Sequence, residues 1–150
     1  MINDFHILLI EDSPTDAQIV GRALREGRIP HRLTLLSDGA EALDYLDRLL
    51  MPETPTQLYP SLVLLDLNLP GPDGVQVLAR IKGEPALKAI PVIVLTTSQR
   101  DEDVWRIYQG GANTYVAKPG DYPSYRRLVD LINEYWQNLA QLPPRRPPGD

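Results

Sequence analysis

The sequence predicts an α/β fold: a doubly wound sheet of five parallel strands, ordered 2-1-3-4-5, with five helices on its two faces. Three observations predict it. Apolar runs bounded by turn signals occur at Ile7 to Ile10, Leu62 to Leu65 and Ile90 to Leu95, too short and β-branched for buried helices. Between such runs lie stretches with apolar residues three and four apart, the spacing of a helix with one buried face. Strict strand and helix alternation with right-handed crossovers leaves few topologies, of which 2-1-3-4-5 is the natural one.

The elements follow in order. The first strand, Ile7 to Ile10, leads to a helix that Ser13 caps, that opens with Pro14 and Asp16, and that carries Ala17, Val20 and Leu24 on its apolar side. Leu33 to Leu36 is a weaker run and reads as an edge strand, followed by a helix on Leu43, Leu46 and Leu50 and a long polar loop, Met51 to Tyr59. The third strand precedes a helix on Val77, Leu78 and Ile81. After the fourth, Ser98 stands before the acidic turn Asp101, Glu102, Asp103 and is expected to open a helix on Val104, Ile107 and Tyr108. Tyr115 to Ala117 is the second edge strand. The last helix carries Leu128, Ile132 and Leu139 and runs through Tyr135 and Trp136.

Composition bounds the function. The chain has 150 residues, 15 Lys and Arg against 20 Asp and Glu, and a formal net charge of −5, so its field repels nucleic-acid backbones and anionic membrane surfaces. Without cysteine there is no disulfide framework, thiolate zinc site or cysteine nucleophile, as suits a reducing cytoplasm. No apolar run approaches the roughly 18 residues of a spanning helix, and the N-terminus lacks a signal-peptide pattern. The 15 prolines are about twice the usual share. Most punctuate the chain between periodic segments; four crowd the final LPPRRPPGD. One domain over residues 1–142 and a disordered Pro/Arg-rich tail over 143–150 are therefore expected.

In a doubly wound sheet, ligands bind beyond the carboxyl ends of the strands, where strand order reverses. The residues there are Glu11 and Asp12 after strand 1, Asp66 at strand 3, Thr96 and Thr97 at strand 4, and Lys118 with Pro119 after strand 5. Three carboxylates in one crevice repel one another unless a cation neutralises them, and Mg²⁺ suits carboxylate, carbonyl and water ligands with a position left for a phosphoryl oxygen. Lys118 supplies a point charge and Thr96 a hydroxyl. Taken singly each residue has an ordinary reading: an acidic pair before a helix caps it, a Thr ends many strands, and a Lys before Pro is common. Asp66 resists that reading, because a carboxylate at the mouth of the buried run Leu62 to Leu65 costs desolvation energy unless it is used or paired.

The residues that stand together, in LLIEDS, LVLLDLNLPGPDG, IPVIVLTTS and GANTYVAKP, resemble the receiver domain of two-component response regulators, a flavodoxin-like fold, from Phe5 to about Leu142. The resemblance implies that Asp66 accepts a phosphoryl group from a sensor histidine kinase. It implies that Mg²⁺ is held by Asp12, Asp66 and the Asn68 carbonyl with Glu11 assisting through water, and that Thr96 and Tyr115 form a switch pair acting on helix 4, strand 5 and helix 5. It also implies a cis bond between Lys118 and Pro119. The TTS segment and the long last helix are most similar to regulators paired with bacterial and cyanobacterial phytochrome kinases. Thr97 departs from the family's small residue after the switch threonine and is expected to crowd the route to the acyl phosphate.

A magnesium-dependent phosphatase of the haloacid dehalogenase kind also uses a strand-end Asp, but needs a second acid where Asn68 stands. A flavodoxin-like or dinucleotide-binding module needs a glycine-rich cradle where the chain reads EDSPTD. His6 and His31, at the far ends of strands 1 and 2, are expected to be ordinary surface residues. The last helix is apolar over an arc of roughly 160°, wider than the roughly 100° a core-facing stripe needs. Its flanking seam of Leu131, Tyr135 and Leu142 predicts a two-fold homodimer through helix 4, strand 5 and helix 5.

Overall fold

The structure, a computed structural model, describes residues 5–144. Its strands are β1 (His6–Ile10), β2 (Arg32–Leu36), β3 (Leu62–Asp66), β4 (Val92–Thr96) and β5 (Thr114–Ala117), all parallel in the order β2-β1-β3-β4-β5. Its α-helices are α1 (Pro14–Glu26), α2 (Gly39–Leu49), α3 (Gly74–Gly83), α4 (Asp101–Gln109) and α5 (Tyr122–Asn133), and a short 3₁₀ turn, Thr56–Leu58, interrupts the long loop. No helix among the described residues is long and apolar enough to cross a membrane.

The sheet separates two apolar layers. Successive side chains of a strand point to opposite faces, so Leu8 and Ile10 pack with Leu46, Leu78, Ile81 and Ile107 of α2, α3 and α4, while Ile7 and Leu9 pack with Val20, Leu24, Val129 and Ile132 of α1 and α5. Every residue of β1, β3 and β4 is buried, which is why these strands read as unbroken apolar runs, whereas β2 and β5 are partly exposed edges.

Three expectations are corrected here. His6 is buried, 1% exposed: its ring lies within hydrogen-bonding distance of the Thr34 hydroxyl (2.8 Å) and the Tyr59 carbonyl (3.4 Å), and its backbone N–H donates to Ser61 Oγ. Ser98 does not cap α4; Arg100 stands at that position without a capping side-chain bond, and the Ser98 hydroxyl donates instead to Asp103 at 2.6 Å. After Asn133 the last helix widens into a π-helical stretch, Glu134–Leu139, which turns less per residue than an α-helix. Leu139 consequently faces solvent at 76% exposure, and Leu142, beyond the extended Ala140, packs back onto the α1 and α5 layer instead of joining the exposed seam. Pro143 and Pro144, the first residues of the expected tail, lie beside Pro60 and Pro91; residues 145–150 lie outside the described residues.

Gly74 sets the approach of α3 to the end of β3. A Cβ there would stand 2.5 Å from the Asp66 carbonyl oxygen and 2.6 Å from Leu67 Cα, both backbone atoms that cannot rotate away. Gly74→Ala is therefore expected to lower stability by about 1 to 3 kcal/mol, read from urea unfolding, the cost typical of overpacking.

Candidate functional site

Parallel pairing brings the strand ends level. Asp66 ends β3 beside Leu95 of β4, Glu11 and Asp12 follow β1, Thr96 ends β4 opposite Ala117, and Lys118 follows β5. Glu11, Asp12 and Asp66 each offer an oxygen such that all three lie within 4.8 Å of one another. Glu11 and Asp66 are buried and Asp12 is exposed at the rim. Asp12 and Asn68 line an open crevice with Asp103 and Arg106 of α4.

Lys118 holds this cluster together. Its Nζ donates to Glu11 at 3.0 and 3.2 Å, to Asp16 at 3.0 Å and to Asp66 at 3.3 Å. Burial lowers the Lys118 pKa, but the hydrogen bonds to Asp16 and Glu11 and the charges of Asp66 and Glu11 outweigh it, and the net shift is upward. At neutral pH the side chain is an ammonium. Glu11 shows the opposite strain: burial first, then hydrogen bonding to Asp66 and its charge, push its pKa up to about 7 against the lowering effects of Lys118 and the Ser13 N–H. A single ammonium does not neutralise the carboxylates around it, and this donor set of clustered acids fits a hard divalent cation.

Thr96 and Tyr115, the expected switch pair, lie at the end of β4 and in β5, beside this cluster. Thr96, fully buried, accepts from the Ser98 N–H at 3.3 Å and from Asn68 Nδ2 at 3.5 Å, while the Asn68 N–H donates to Asp66 at 3.2 Å. Tyr115 is half-buried and its hydroxyl donates to the Ser98 carbonyl at 2.6 Å, which ties β5 to the loop before α4. Thr97 is exposed. The expected cis bond at Lys118 and Pro119 is not found: no described peptide bond is cis. A trans bond suffices because the Lys118 N–H donates to the Thr96 carbonyl at 2.8 Å, extending the β4 and β5 ladder, and the long side chain spans the remaining distance.

Asp16 was not among the expected site residues. An acid in the first turn of a helix reads as a dipole partner; the available signal was its position four residues after Asp12, one helical turn from the acidic pair.

A family model for the response regulator receiver domain matches residues 7–131. The chain belongs to the response regulator receiver family. It is 41% identical over 137 residues to the response regulator Rcp1 of a Synechocystis strain, covering 91% of this chain and 92% of Rcp1. It is 43% identical over 139 residues, covering 93% and 88%, to a probable methanogenesis regulatory protein, FilR2, of Methanothrix harundinacea. Among solved structures, the phosphorylated cyanobacterial phytochrome response regulator RcpA superposes with a TM-score of 0.84 at 37% identity, covering 95% of this chain and all of RcpA. The Mn²⁺-bound form of Rcp1 gives 0.81 at 41% identity, covering 93% and 99%. Membership displaces the phosphatase and nucleotide-module readings and agrees with the strand order observed.

The raised Glu11 pKa has a stability consequence. The folded protein retains a proton that the unfolded chain releases near pH 4.5, so this group's contribution is fully present below that pH and is lost as pH rises through about 7. In EDTA, Glu11→Gln is expected to gain stability relative to the parent across that window, reaching about 1 to 3 kcal/mol at pH 8, as followed by urea unfolding.

Proposed function

We propose that this receiver accepts a phosphoryl group on Asp66 from a sensor histidine kinase of the phytochrome type. The observation that carries the reading is the Lys118 ammonium 3.3 Å from the buried Asp66 carboxylate, inside a carboxylate cluster at the strand ends. An Asp66 oxygen attacks the phosphorus of a phosphohistidine in line; the P–O bond forms as the P–N bond breaks, and the imidazole leaves with the electron pair. Asp12, Asp66 and the Asn68 carbonyl would hold Mg²⁺, with Glu11 acting through water. When bound, the ion supplies charge neutralisation for the incoming phosphoryl anion. Lys118 steadies the transferred group as a point charge.

The new phosphoryl oxygens compete for Thr96, whose hydroxyl then leaves Ser98 and Asn68. Tyr115, bonded to the Ser98 carbonyl, follows that loop, and the change reaches α4, β5 and α5. The protein on this reading is a cytoplasmic signalling protein without an independent substrate. The phytochrome partner is supported by the near-complete overlap with RcpA, and the methanogenesis regulator sets the alternative that phosphotransfer assays must exclude.

Homodimerisation through α4, β5 and α5 is supported by two exposed side chains, Leu131 at 54% and Tyr135 at 50%, that border an apolar groove with Val116, Leu128 and Trp136.

Intact-mass measurement with acetyl phosphate tests the acceptor. One phosphoryl group is expected with Mg²⁺, none in EDTA and none in Asp66→Asn; phosphate on Asp66→Asn would refute the assignment. Purified phytochrome kinase is expected to phosphorylate the protein faster than an unrelated histidine kinase does. For the dimer, light scattering across a dilution series is expected to show Leu131→Asp with Tyr135→Asp dissociating at least about 100-fold more readily than the parent.

A further inference from the structure

Lys118 has three N–H donors and meets three carboxylates, and one of these does not belong to the cation-binding cluster. Glu11 and Asp66 are members of the group whose oxygens lie within 4.8 Å of one another; Asp16 is not. Asp16 therefore touches the reacting carboxylate only through Lys118. It is held firmly: its backbone N–H donates to the Ser13 hydroxyl at 3.2 Å, and Pro14 fixes the first turn of α1. Its side chain is 28% exposed, against 3% for Glu11 and Asp66, so it takes its share of the ammonium without the burial those two bear. Its contact with Lys118, at 3.0 Å, is shorter than that of Asp66, at 3.3 Å.

An ammonium and a divalent cation compete for the same carboxylate oxygens. We propose that Asp16 is a positioning residue for phosphoryl transfer: it engages one N–H of Lys118 and keeps the ammonium from closing onto Asp66, leaving that carboxylate open to the cation and the phosphoryl group. The inference rests on Asp66 as acceptor. Asn at position 16 keeps the shape and the backbone bond to Ser13 but removes the charge. With only a neutral amide oxygen at position 16, the Lys118 N–H is held more weakly and more of the ammonium's charge falls on Glu11 and Asp66, where a cation must displace it.

The test is calorimetric titration with Mg²⁺ of the full chain, paired with phosphorylation by acetyl phosphate. Asp16→Asn is expected to bind Mg²⁺ about fivefold more weakly, with Asp16→Glu recovering most of the loss. At saturating Mg²⁺ the phosphorylation rate of Asp16→Asn is expected within about twofold of the parent, because the ion has by then taken Asp66 from Lys118. In a Lys118→Met background, adding Asp16→Asn is expected to change Mg²⁺ affinity by less than about twofold. An equal fivefold loss there would show that Asp16 acts by its charge directly, and a rate depressed at saturating Mg²⁺ would show a structural role; either overturns the proposal, as does unchanged affinity in Asp16→Asn. A crystal structure of metal-free Asp16→Asn gives a reading independent of the double variant: Lys118 drawn closer to Asp66 than in the parent supports the proposal, and Lys118 at an unchanged distance from Asp66 or released to solvent refutes it. Failure of the parent itself to bind Mg²⁺ or to accept phosphate would sink the Asp66 reading instead.

Discussion

The structure turns on a charge imbalance at the carboxyl ends of its strands. Glu11, Asp16 and Asp66 gather around Lys118, with Asp12 beside Glu11 and Asp66, and Glu11 and Asp66 are buried where like charges repel most strongly. The ammonium makes the arrangement tolerable without making it neutral. The remaining negative charge has a chemical use: it draws a divalent cation to the place where a phosphoryl anion must arrive. These carboxylates outweigh burial to shift Lys118 upward, while Glu11 is raised first by its burial and then by Asp66.

The rest of the fold serves to hold these groups in register. Three fully buried strands give rigid ends from which Asp66, Glu11 and Thr96 project, and the two apolar layers fix those strands from both sides. Gly74 lets α3 begin hard against the Asp66 backbone, where any side chain would force the two apart. Polar contacts then carry the site's state outward. Ser98 offers its N–H to Thr96, its carbonyl to Tyr115 and its hydroxyl to Asp103, so a single loop residue touches the side chains of Thr96 and Tyr115 as well as α4. Movement of Thr96 cannot leave that loop unaltered.

Much of this was legible in the sequence, for physical reasons that differ by residue. Strands buried on both faces must be apolar throughout, so β1, β3 and β4 announced themselves, and the polar residue at each strand end marked the crevice. Asp16 was hidden because a first-turn acid has a sufficient local explanation, and only the fold brings Lys118 from 102 residues away to meet it. His6 gave no local sign of burial, since Thr34, Tyr59 and Ser61 that satisfy it come from separate segments. The seam on the last helix was placed correctly at Leu131 and Tyr135 and wrongly at Leu142. A wheel drawn at a constant angle per residue fails once the helix widens at Glu134.

Positive charge at the strand ends holds the carboxylates together, with Lys118 and a divalent cation supplying it between them. Urea unfolding of Lys118→Met at pH 8, in EDTA and in saturating Mg²⁺, tests this most directly. In EDTA the variant should be less stable than the parent by about 2 to 4 kcal/mol, as when one partner of a buried ion pair is removed, and Mg²⁺ should stabilise the variant more than the parent and narrow the gap. A variant as stable as the parent in EDTA, or a gap that Mg²⁺ leaves unchanged, would contradict it.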